Sequence, residues 1–274
     1  MDKKSIHFFL CSSLLFLVLS CSTYTEESQR SSDTIEEFNP GSLDIYLLIG
    51  QSNMAGRADI STDVRDTLEN VYLFTDSTWQ KAANPLNKYS NIRKSIDMQK
   101  LGPGYSFAEM LAQNIDNEIG LVVNARGGTS IEEWQKGYAG DNDYDLYENT
   151  LERIKSAAND GVIKGIIWHQ GESDQSRSYS YMDSLIKLVQ DYRNDLGMPE
   201  LYFVAGQIGD WRSSSELINK VMEQIPDRIS NASYVVSDGL TPLFGDNSDP
   251  HFDSRSQQVL GKRYAQEVLR KVYD

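Results

Sequence analysis

Short apolar segments alternate with longer segments of helical periodicity along most of this chain of 274 residues. The first apolar segment, 43–49, is continuous apart from Asp44, is rich in branched residues and is closed by Gly50. A run of this kind is typical of a strand that is buried on both faces of a parallel sheet. The same features predict further strands at 70–74, 119–123, 162–168, 201–205 and 234–236.

Helical periodicity lies between most of these strands. It predicts helices at 106–115, 147–158, 181–196, 214–225 and 253–273. The last of them has Asp253 in a position to cap its first turn, and it presents an apolar stripe at Leu260, Tyr264, Val268 and Val272. The alternation predicts one α/β domain with a parallel sheet covered by helices on both faces and without internal repeats.

The N-terminal segment has the composition of an export signal. Two lysines precede an apolar stretch at 6–19, which is followed by a serine and Cys21. This ending resembles a bacterial lipobox, in which the cysteine becomes the lipidated first residue of the mature protein. We therefore expect a lipoprotein-type signal peptide at 1–20, lipidation at Cys21, a flexible tether at 21–42 and the folded domain at 43–274. The expected location is the cell envelope, on the periplasmic or outer-surface side.

Cysteine content and charge exclude several classes of function. Both cysteines lie in the N-terminal segment, so the mature domain is expected to have no disulfide, cysteine-ligated zinc or cysteine nucleophile. Only His169 and His251 remain as histidines for chemistry. The net charge of −14 and the lack of basic clusters argue against nucleic acid and anionic membrane surfaces as partners. The only membrane contact we expect is through a lipid on Cys21.

Polar residues cluster where predicted strands end and before the last helix, in the segments 50–57, 125–130, 168–174 and 246–252. The carboxyl ends of parallel strands meet at one edge of the sheet, which is where ligands bind in open α/β folds. The first segment places Ser52 between a strand and a helix, so its hydroxyl is either a nucleophile beside free backbone amides or simply an N-cap. Since the four segments together supply a serine, both histidines, carboxylates and a side-chain amide, we favour an active site over ordinary loops.

The same segments resemble SGNH hydrolases, and among them carbohydrate esterases of the sialate O-acetylesterase and acetylxylan esterase type. The matching residues span nearly the whole domain and are 50–56, 127–130, Trp134, 168–174, 251–253 and 260–265. Ser52 is not in the G-x-S-x-G elbow of α/β-hydrolases, because Met54 occupies the last position of that motif. The resemblance implies a three-layer α/β/α, flavodoxin-like fold with a central parallel sheet of about five strands. It also implies deacetylation of a sugar ester.

The resemblance assigns roles to individual residues. Ser52 would be the nucleophile and His251 its general base. The backbone amides of Ser52 and Gly127, with the side-chain amide of Gln170, would form the oxyanion hole. The substrate contacts expected around them are Gln51, Asn53, Arg57 and His169.

Three carboxylates are candidates for the acid of the triad. Many relatives have it three residues before the histidine, but this chain has Ser248 there. Asp249 precedes a proline, which favours an extended backbone and so puts residues two apart on one face. We therefore favour Asp249 as the residue that orients His251, with Glu172 as the second candidate and Asp246 also open.

Other side chains in these segments have two interpretations. Arg57 and Arg126 could meet a carboxylated sugar, although loop ion pairs are commoner for arginine. His169 is expected as a hydrogen-bonded wall or a substrate contact rather than a base. Three tryptophans could stack on sugar rings but more often pack in a core or at a rim, namely Trp134, Trp168 and Trp211.

No metal and no cofactor are expected. The carboxylates Asp141, Asp143, Asp145 and Glu152 have the spacing of a calcium loop, but Leu146 stands where the sharp turn of such a loop requires glycine. The ester chemistry that the resemblance implies needs no metal.

The function predicted from the sequence is a serine-dependent carbohydrate O-acetylesterase that acts on an acetylated oligo- or polysaccharide through an acetyl-enzyme. Two alternatives stay open, a non-catalytic glycan-binding lipoprotein on the same fold and an O-acetyltransferase. The presence of Ser52, His251, a carboxylate and Gln170 favours an enzyme, because binding alone needs no nucleophile beside a base. The acetylated sugar also stays open.

Overall fold

The structure is a computed structural model that describes residues 43–138, 140 and 144–274. The predicted signal peptide, Cys21 and the tether lie outside these residues, as do Asp141 and Asp143 of the calcium-like segment. Within the described ranges, no helix combines the length and the apolar character that a membrane span needs.

Seven strands form one sheet in the part of the chain that the structure describes. They are β1 (Leu43–Gly50), β2 (Val71–Phe74), β3 (Trp79–Lys81), β4 (Ile119–Ala125), β5 (Gly161–His169), β6 (Tyr202–Gly206) and β7 (Ala232–Val235). Their order is β3-β2-β4-β1-β5-β6-β7, and every neighbouring pair is parallel except β2 and β3. The predicted parallel sheet is confirmed, with seven strands instead of about five.

Strand β1 occupies the middle of the sheet, and all of its residues are buried. Its last residue, Gly50, lies opposite Ala125 of β4 and His169 of β5. The three strands therefore end level with one another. The polar segments that follow them meet at one edge of the sheet, as expected for parallel strands.

Seven α-helices accompany the sheet in the described residues. They are α1 (Ser52–Ala55), α2 (Gly104–Ala112), α3 (Leu146–Ala157), α4 (Ser178–Leu196), α5 (Glu216–Glu223), α6 (Ile225–Arg228) and α7 (Ser254–Val268). Apolar side chains of α2 and α7 form one cluster with Tyr46 and Leu48 of β1. On the other face, Trp168 of β5 donates from Nε1 to the Tyr181 hydroxyl of α4 at 3.0 Å. Helices therefore cover both faces, and the three-layer fold is confirmed.

Helix α7 follows the prediction at its start and departs from it at its end. Asp253 caps the helix by accepting a hydrogen bond from the Ser256 backbone N–H at 2.7 Å. Leu260, Tyr264 and Val268 of the predicted stripe are fully buried. The last turn, Leu269–Tyr273, is π-helical instead of α-helical.

Two other elements differ from their predictions. Strand β3 was not predicted, because three residues are too few to show a period. The helix predicted at 214–225 is divided into α5 and α6. Pro226 lies in the first turn of α6, where it has no N–H to continue the hydrogen bonding of α5.

Candidate active site

Ser52 is the first residue of α1 and follows the central strand by one residue. Gly50 has a φ of 138°, and a Cβ at this position would lie 2.1 Å from the His169 carbonyl oxygen. Only glycine allows this close approach, which lets the Gln51 N–H donate to the same oxygen at 3.0 Å. Gln51 occupies the N-cap position, so the Ser52 hydroxyl is not used as the cap.

Gly127 lies directly beside Ser52 in the loop after β4. A Cβ on Gly127 would lie 2.4 Å from Nη2 of Arg57 and 3.3 Å from Cβ of Ser52. A side chain at position 127 would therefore have to displace the guanidinium of Arg57. Among the described residues, neither the Ser52 N–H nor the Gly127 N–H has a hydrogen-bond acceptor. Two free backbone donors thus lie next to the serine side chain.

Asp249 is the carboxylate that contacts His251. Its Oδ1 lies 2.6 Å from Nδ1 of His251 and accepts the His251 backbone N–H at 2.9 Å. The hydrogen bond from the His251 N–H to the Asp249 side chain is an Asx-turn, which holds the carboxylate beside the imidazole. Asp246 instead accepts from the backbone N–H and the hydroxyl of Ser248, at 2.8 and 2.7 Å. It therefore shapes the preceding turn.

Asn53, the residue after Ser52, holds the main chain on both sides of His251. Its Nδ2 donates to the Pro250 carbonyl oxygen at 3.1 Å, and its Oδ1 accepts from the Phe252 N–H at 3.1 Å. Asn53 has no exposed surface. It is therefore a structural link between the Ser52 segment, residues 50–57, and the loop that carries His251, residues 246–252. It has no exposed surface with which to make the substrate contact expected from the sequence.

Glu172, the second candidate for the triad acid, supports this link without contacting His251. Its Oε1 accepts a hydrogen bond from Asn53 Nδ2 at 2.6 Å. Burial raises the pKa of Glu172 to about 7, and the charge of Asp174 acts in the same direction. The hydrogen bond from Asn53 and the charge of Arg212 lower this pKa and only partly offset the effect of burial.

His169 is a neutral, structural histidine in this arrangement. The Tyr264 hydroxyl donates to the Trp168 carbonyl oxygen at 2.9 Å, so the 2.9 Å contact between this hydroxyl and His169 Nδ1 requires the hydrogen to be on Nδ1. Burial lowers the pKa of His169 to about 3. Since His169 has no exposed surface, it forms the wall behind the site and offers no direct contact to a substrate.

Gln170 is also fully buried, and its amide hydrogens are already used. Its Nε2 has three acceptors, Oδ2 of Asp174 at 2.6 Å, the Thr129 carbonyl oxygen at 3.0 Å and Oε1 of Gln51 at 3.1 Å. An amide nitrogen has two hydrogens. Gln170 therefore cross-links the loops after β1, β4 and β5 and has no hydrogen left for an oxyanion in this structure.

Arg57 and Arg126 are the two cations expected near the site, and their surroundings differ. Nη1 of Arg57 donates to the carbonyl oxygens of Gly56 and Met98, at 2.6 and 3.0 Å. Arg126 donates to the Ile92 carbonyl at 2.6 Å, and its guanidinium lies 3.5 Å from the ring centre of Tyr144. Arg57 is therefore fixed beside Ser52, whereas Arg126 is stacked on an aromatic ring.

Only one of the three tryptophans has exposed surface at this edge. Trp134 and Trp168 are fully buried and meet edge to face with ring centroids 5.5 Å apart, so neither can stack on a sugar. Trp211 is partly exposed and donates from Nε1 to the Asp249 carbonyl oxygen at 2.9 Å. It also packs edge to face against Phe252. Trp211 therefore supports both ends of the segment that carries His251.

Burial and neighbouring charges have opposing effects on the pKa of His251. Burial lowers its pKa below the ordinary value of 6.5, and the positive charge of Arg57 also lowers it. The charge of Asp249 and its hydrogen bond raise the pKa but do not cancel the effect of burial. His251 is therefore neutral at pH 7, as a general base must be.

Carboxylates and histidines do not form a metal site in the described residues, where no group of three or more is arranged around a common point. Asp145 of the calcium-like segment caps α3, since its side chain accepts from the Glu148 N–H at 2.9 Å.

A protein-family comparison identifies the chain. The family model described as carbohydrate esterase, sialic acid-specific acetylesterase, matches residues 42–270. The chain belongs to this carbohydrate esterase family. A probable carbohydrate esterase from Arabidopsis thaliana is 33% identical to this esterase over 251 residues, which cover 82% of this chain and 90% of the relative.

Solved structures agree with the fold of this esterase. An X-ray structure of an Arabidopsis thaliana protein superimposes with a TM-score of 0.74 at 26% identity, covering 84% of this chain and 99% of that one. A carbohydrate acetylesterase from Xanthomonas citri superimposes with a TM-score of 0.64 at 18% identity, covering 84% of this chain and 57% of that one. At that identity the second likeness supports the fold alone.

Sequence reasoning missed the residues that hold the histidine loop. The sequence predicts a substrate contact for Asn53 and, for Trp211, either stacking on a sugar or packing in a core or at a rim, but no support of the loop that carries His251. Their hydrogen bonds reach Pro250, Phe252 and Asp249, far away along the chain. The one available signal was position, because Asn53 directly follows the candidate nucleophile.

Proposed function

We propose that this esterase is a serine-dependent carbohydrate O-acetylesterase that works through an acetyl-enzyme on Ser52. The observation that carries the proposal is the Asp249–His251 pair, with 2.6 Å between Oδ1 and Nδ1, on a loop that Asn53 ties to the Ser52 segment. With Nδ1 bound to the carboxylate, Nε2 is the nitrogen left to accept a proton.

In the first half of the reaction, Oγ of Ser52 forms a bond to the acetyl carbonyl carbon and its proton passes to Nε2 of His251. The π electrons of the carbonyl move onto its oxygen, where the Ser52 and Gly127 amides donate hydrogen bonds. The tetrahedral intermediate then breaks its bond to the sugar oxygen. His251 returns the proton to that oxygen, so the sugar leaves as an alcohol and the acetyl group stays on Ser52.

In the second half, water replaces the sugar. The water oxygen bonds to the acetyl carbon while His251 takes a proton from the water. The same donors stabilise the second oxyanion. The intermediate collapses by breaking the bond to Oγ of Ser52, which receives the proton from His251. Acetate leaves, and the serine hydroxyl is restored.

The proposed substrate is an O-acetylated glycan. The family description supports an acetylated sialic acid as a first candidate, and the resemblance found in the sequence adds acetylated xylan. The N-terminal pattern supports an exported lipoprotein anchored at Cys21, which would place the enzyme among cell-envelope or extracellular glycans.

Acetate release tests this function directly. Purified protein is expected to release acetate from at least one of acetylated sialic acid, acetylated xylan, acetylated pectin and acetylated peptidoglycan. Ser52→Ala should lower kcat by roughly 10³-fold or more, because the covalent route is lost with its nucleophile. Ser248→Ala is the matched control, since this exposed serine hydrogen-bonds to Asp246 alone among the described residues.

Covalent labelling identifies the nucleophile independently. A fluorophosphonate probe should modify Ser52 and no other serine, as read by mass spectrometry of the digested protein. Labelling elsewhere would exclude the assignment of Ser52. Binding of acetylated glycans without acetate release would favour a glycan-binding protein, and acetyl transfer to added sugar in preference to water would favour an acetyltransferase.

A further inference from the structure

The proposed reaction places a full negative charge on the carbonyl oxygen, and two backbone amides are the donors described so far. The third donor expected from the sequence, Gln170, has both amide hydrogens bound to other acceptors in the buried loop network. The third donor position of the oxyanion hole is therefore open to a different group. Arg57 has the required location.

Nη2 of Arg57 lies at the junction of the two elements that supply the backbone donors. It is 2.4 Å from the point that a Cβ on Gly127 would occupy, and Cβ of Ser52 is 3.3 Å from the same point. Glycine at position 127 thus makes room for the guanidinium. The cation fills the space directly against the Gly127 main chain and beside the serine side chain.

The guanidinium is held in this position without using Nη2. Its Nη1 donates to the Gly56 and Met98 carbonyl oxygens, at 2.6 and 3.0 Å. No acceptor for Nη2 is present among the described residues, and no carboxylate of those residues forms an ion pair with Arg57. A fixed cation with free hydrogens is an arrangement that stabilises developing charge without reorganisation.

The electrostatic surroundings strengthen the effect of this cation. Arg57 is partly buried, and this burial lowers its pKa from the ordinary value of 12.5. The same positive charge lowers the pKa of His251. Charges interact more strongly where water is excluded.

We infer that Nη2 of Arg57 is the third oxyanion donor of this esterase, which makes Arg57 a catalytic residue. This inference rests on the proposed acetyl-enzyme mechanism. When Oγ of Ser52 bonds to the carbonyl carbon, the π electron pair moves to the oxygen, and Arg57 donates a hydrogen bond to it along with the Ser52 and Gly127 amides. The donor keeps its proton, and it releases the oxygen when the carbonyl forms again.

A substrate-binding role for Arg57 makes a different prediction. A guanidinium that reads the carboxylate of an acidic sugar would change KM, and only for acidic substrates. An oxyanion donor lowers kcat for every acetyl ester, including p-nitrophenyl acetate, which has no carboxylate. The small ester therefore separates the two roles.

The experiment measures kcat and KM for p-nitrophenyl acetate with Arg57→Gln, Arg57→Ala and Arg57→Lys. Each variant should lose ~10²–10³ in kcat at the pH where activity is maximal, with KM changed little, because one oxyanion donor contributes about that much. Lysine keeps the positive charge, but its ammonium group cannot bind the Gly56 and Met98 carbonyl oxygens and the oxyanion together as the planar guanidinium does. Lys94→Gln removes an exposed cation near Gly128 and should behave like the unchanged enzyme.

Chemical rescue separates a direct role from a structural one. Millimolar guanidinium chloride should raise kcat of Arg57→Ala, while equal concentrations of urea or sodium chloride should not. Three results would overturn the inference. The first is a change in KM with kcat unchanged, and the second is a kcat that returns to that of the unchanged enzyme when each variant is measured at its own pH optimum. The third is the absence of rescue in a variant whose Tm is unchanged. Should Arg57→Ala and Arg57→Gln not fold, undiminished kcat in Arg57→Lys would overturn it equally.

Failure of the proposed function has a different signature. If the fluorophosphonate does not label Ser52 in the unchanged enzyme, the acetyl-enzyme mechanism fails before Arg57 is tested. If Ser52 is labelled and essential while the Arg57 variants keep their kcat, the mechanism stands and only the oxyanion role of Arg57 is excluded.

Discussion

Replacing Glu172 with glutamine should stabilise this esterase at alkaline pH and leave it nearly unchanged at acidic pH. Oε1 of Glu172 accepts a hydrogen bond from Asn53 at 2.6 Å, and Oε2 is buried with no partner among the described residues. A neutral amide of the same shape can keep the first contact. Nε2 of His169, which lies 3.9 Å from Oε1, also has no partner among those residues.

The sign follows from the direction of the pKa shift. The folded carboxyl has a pKa of about 7, whereas its ordinary value is 4.5. Below pH 4.5 both states are protonated and the group contributes no pH dependence. As the pH rises from 4.5 to 7, the unfolded chain ionises while folded Glu172 stays protonated, so the stability of the natural protein falls. Above pH 7 both states are ionised and the loss stays constant.

The magnitude follows from the same values. A pKa raised from 4.5 to about 7 corresponds to ~3 kcal/mol of stability lost across this interval. A domain of this size unfolds in urea with an m-value near the upper end of the usual range, ~3 kcal/mol per molar. The urea midpoint of Glu172→Gln should therefore rise by ~1 M relative to the natural protein between pH 4.5 and pH 8.

Urea unfolding followed by tryptophan fluorescence at several pH values measures this difference. All other titratable residues are the same in both proteins, so the comparison isolates the effect of the substituted carboxyl. Glu69→Gln removes an exposed carboxylate and is the matched control, for which the midpoint difference should stay flat with pH. A flat difference for Glu172→Gln as well would show that the pKa of Glu172 is the same in the folded and unfolded protein, and the reasoning would be refuted.

Three further predictions concern catalysis and anchoring. Asp249→Asn should lower kcat by roughly 10⁴-fold, because the amide cannot stabilise the imidazolium, while Glu172→Gln keeps most of the activity; the reverse order in an acetate-release assay would reassign the triad acid. The kcat/KM of the natural enzyme should rise with pH through a pKa below 6.5, since burial lowers the pKa of His251, and a midpoint above 6.5 would contradict this. Natural protein should partition with membranes through a lipid on Cys21, whereas Cys21→Ala should not yield the lipid-modified form, and an unmodified natural protein in the mass spectrum would exclude anchoring.

The sheet could be predicted because the composition of its central strand indicates burial on both faces. Residues 45–49 are apolar without alternation, as expected of a strand covered on both faces, and β1 is the middle strand. Once the sheet is parallel, its connections bring the following loops to one edge. The convergence of Ser52 and Gly127 follows from topology and needs no knowledge of side-chain contacts.

The roles of buried polar side chains could not be predicted in the same way. Gln170 and His169 stand at the end of β5, and local sequence does not say whether such residues face the crevice or the core. Their hydrogen bonds to Asp174, Thr129 and Tyr264 decide this, and two of these partners lie on other elements. In contrast, the contact between Asp249 and His251 was predictable because the residue before a proline favours an extended backbone and the two residues are two positions apart.

The position of the histidine depends on side-chain ties more than on regular structure. The segment between β7 and α7 is largely irregular, and the His251 carbonyl oxygen accepts a hydrogen bond from the Leu243 N–H at 2.7 Å. Asn53 and Trp211 complete the support. Asn53 also donates to Oε1 of Glu172 at 2.6 Å, so the protonation state of that carboxyl acts on the residue that ties the Ser52 segment to the loop of His251. Since burial raises the pKa of Glu172 to about 7, the charge of this buried network changes near neutral pH.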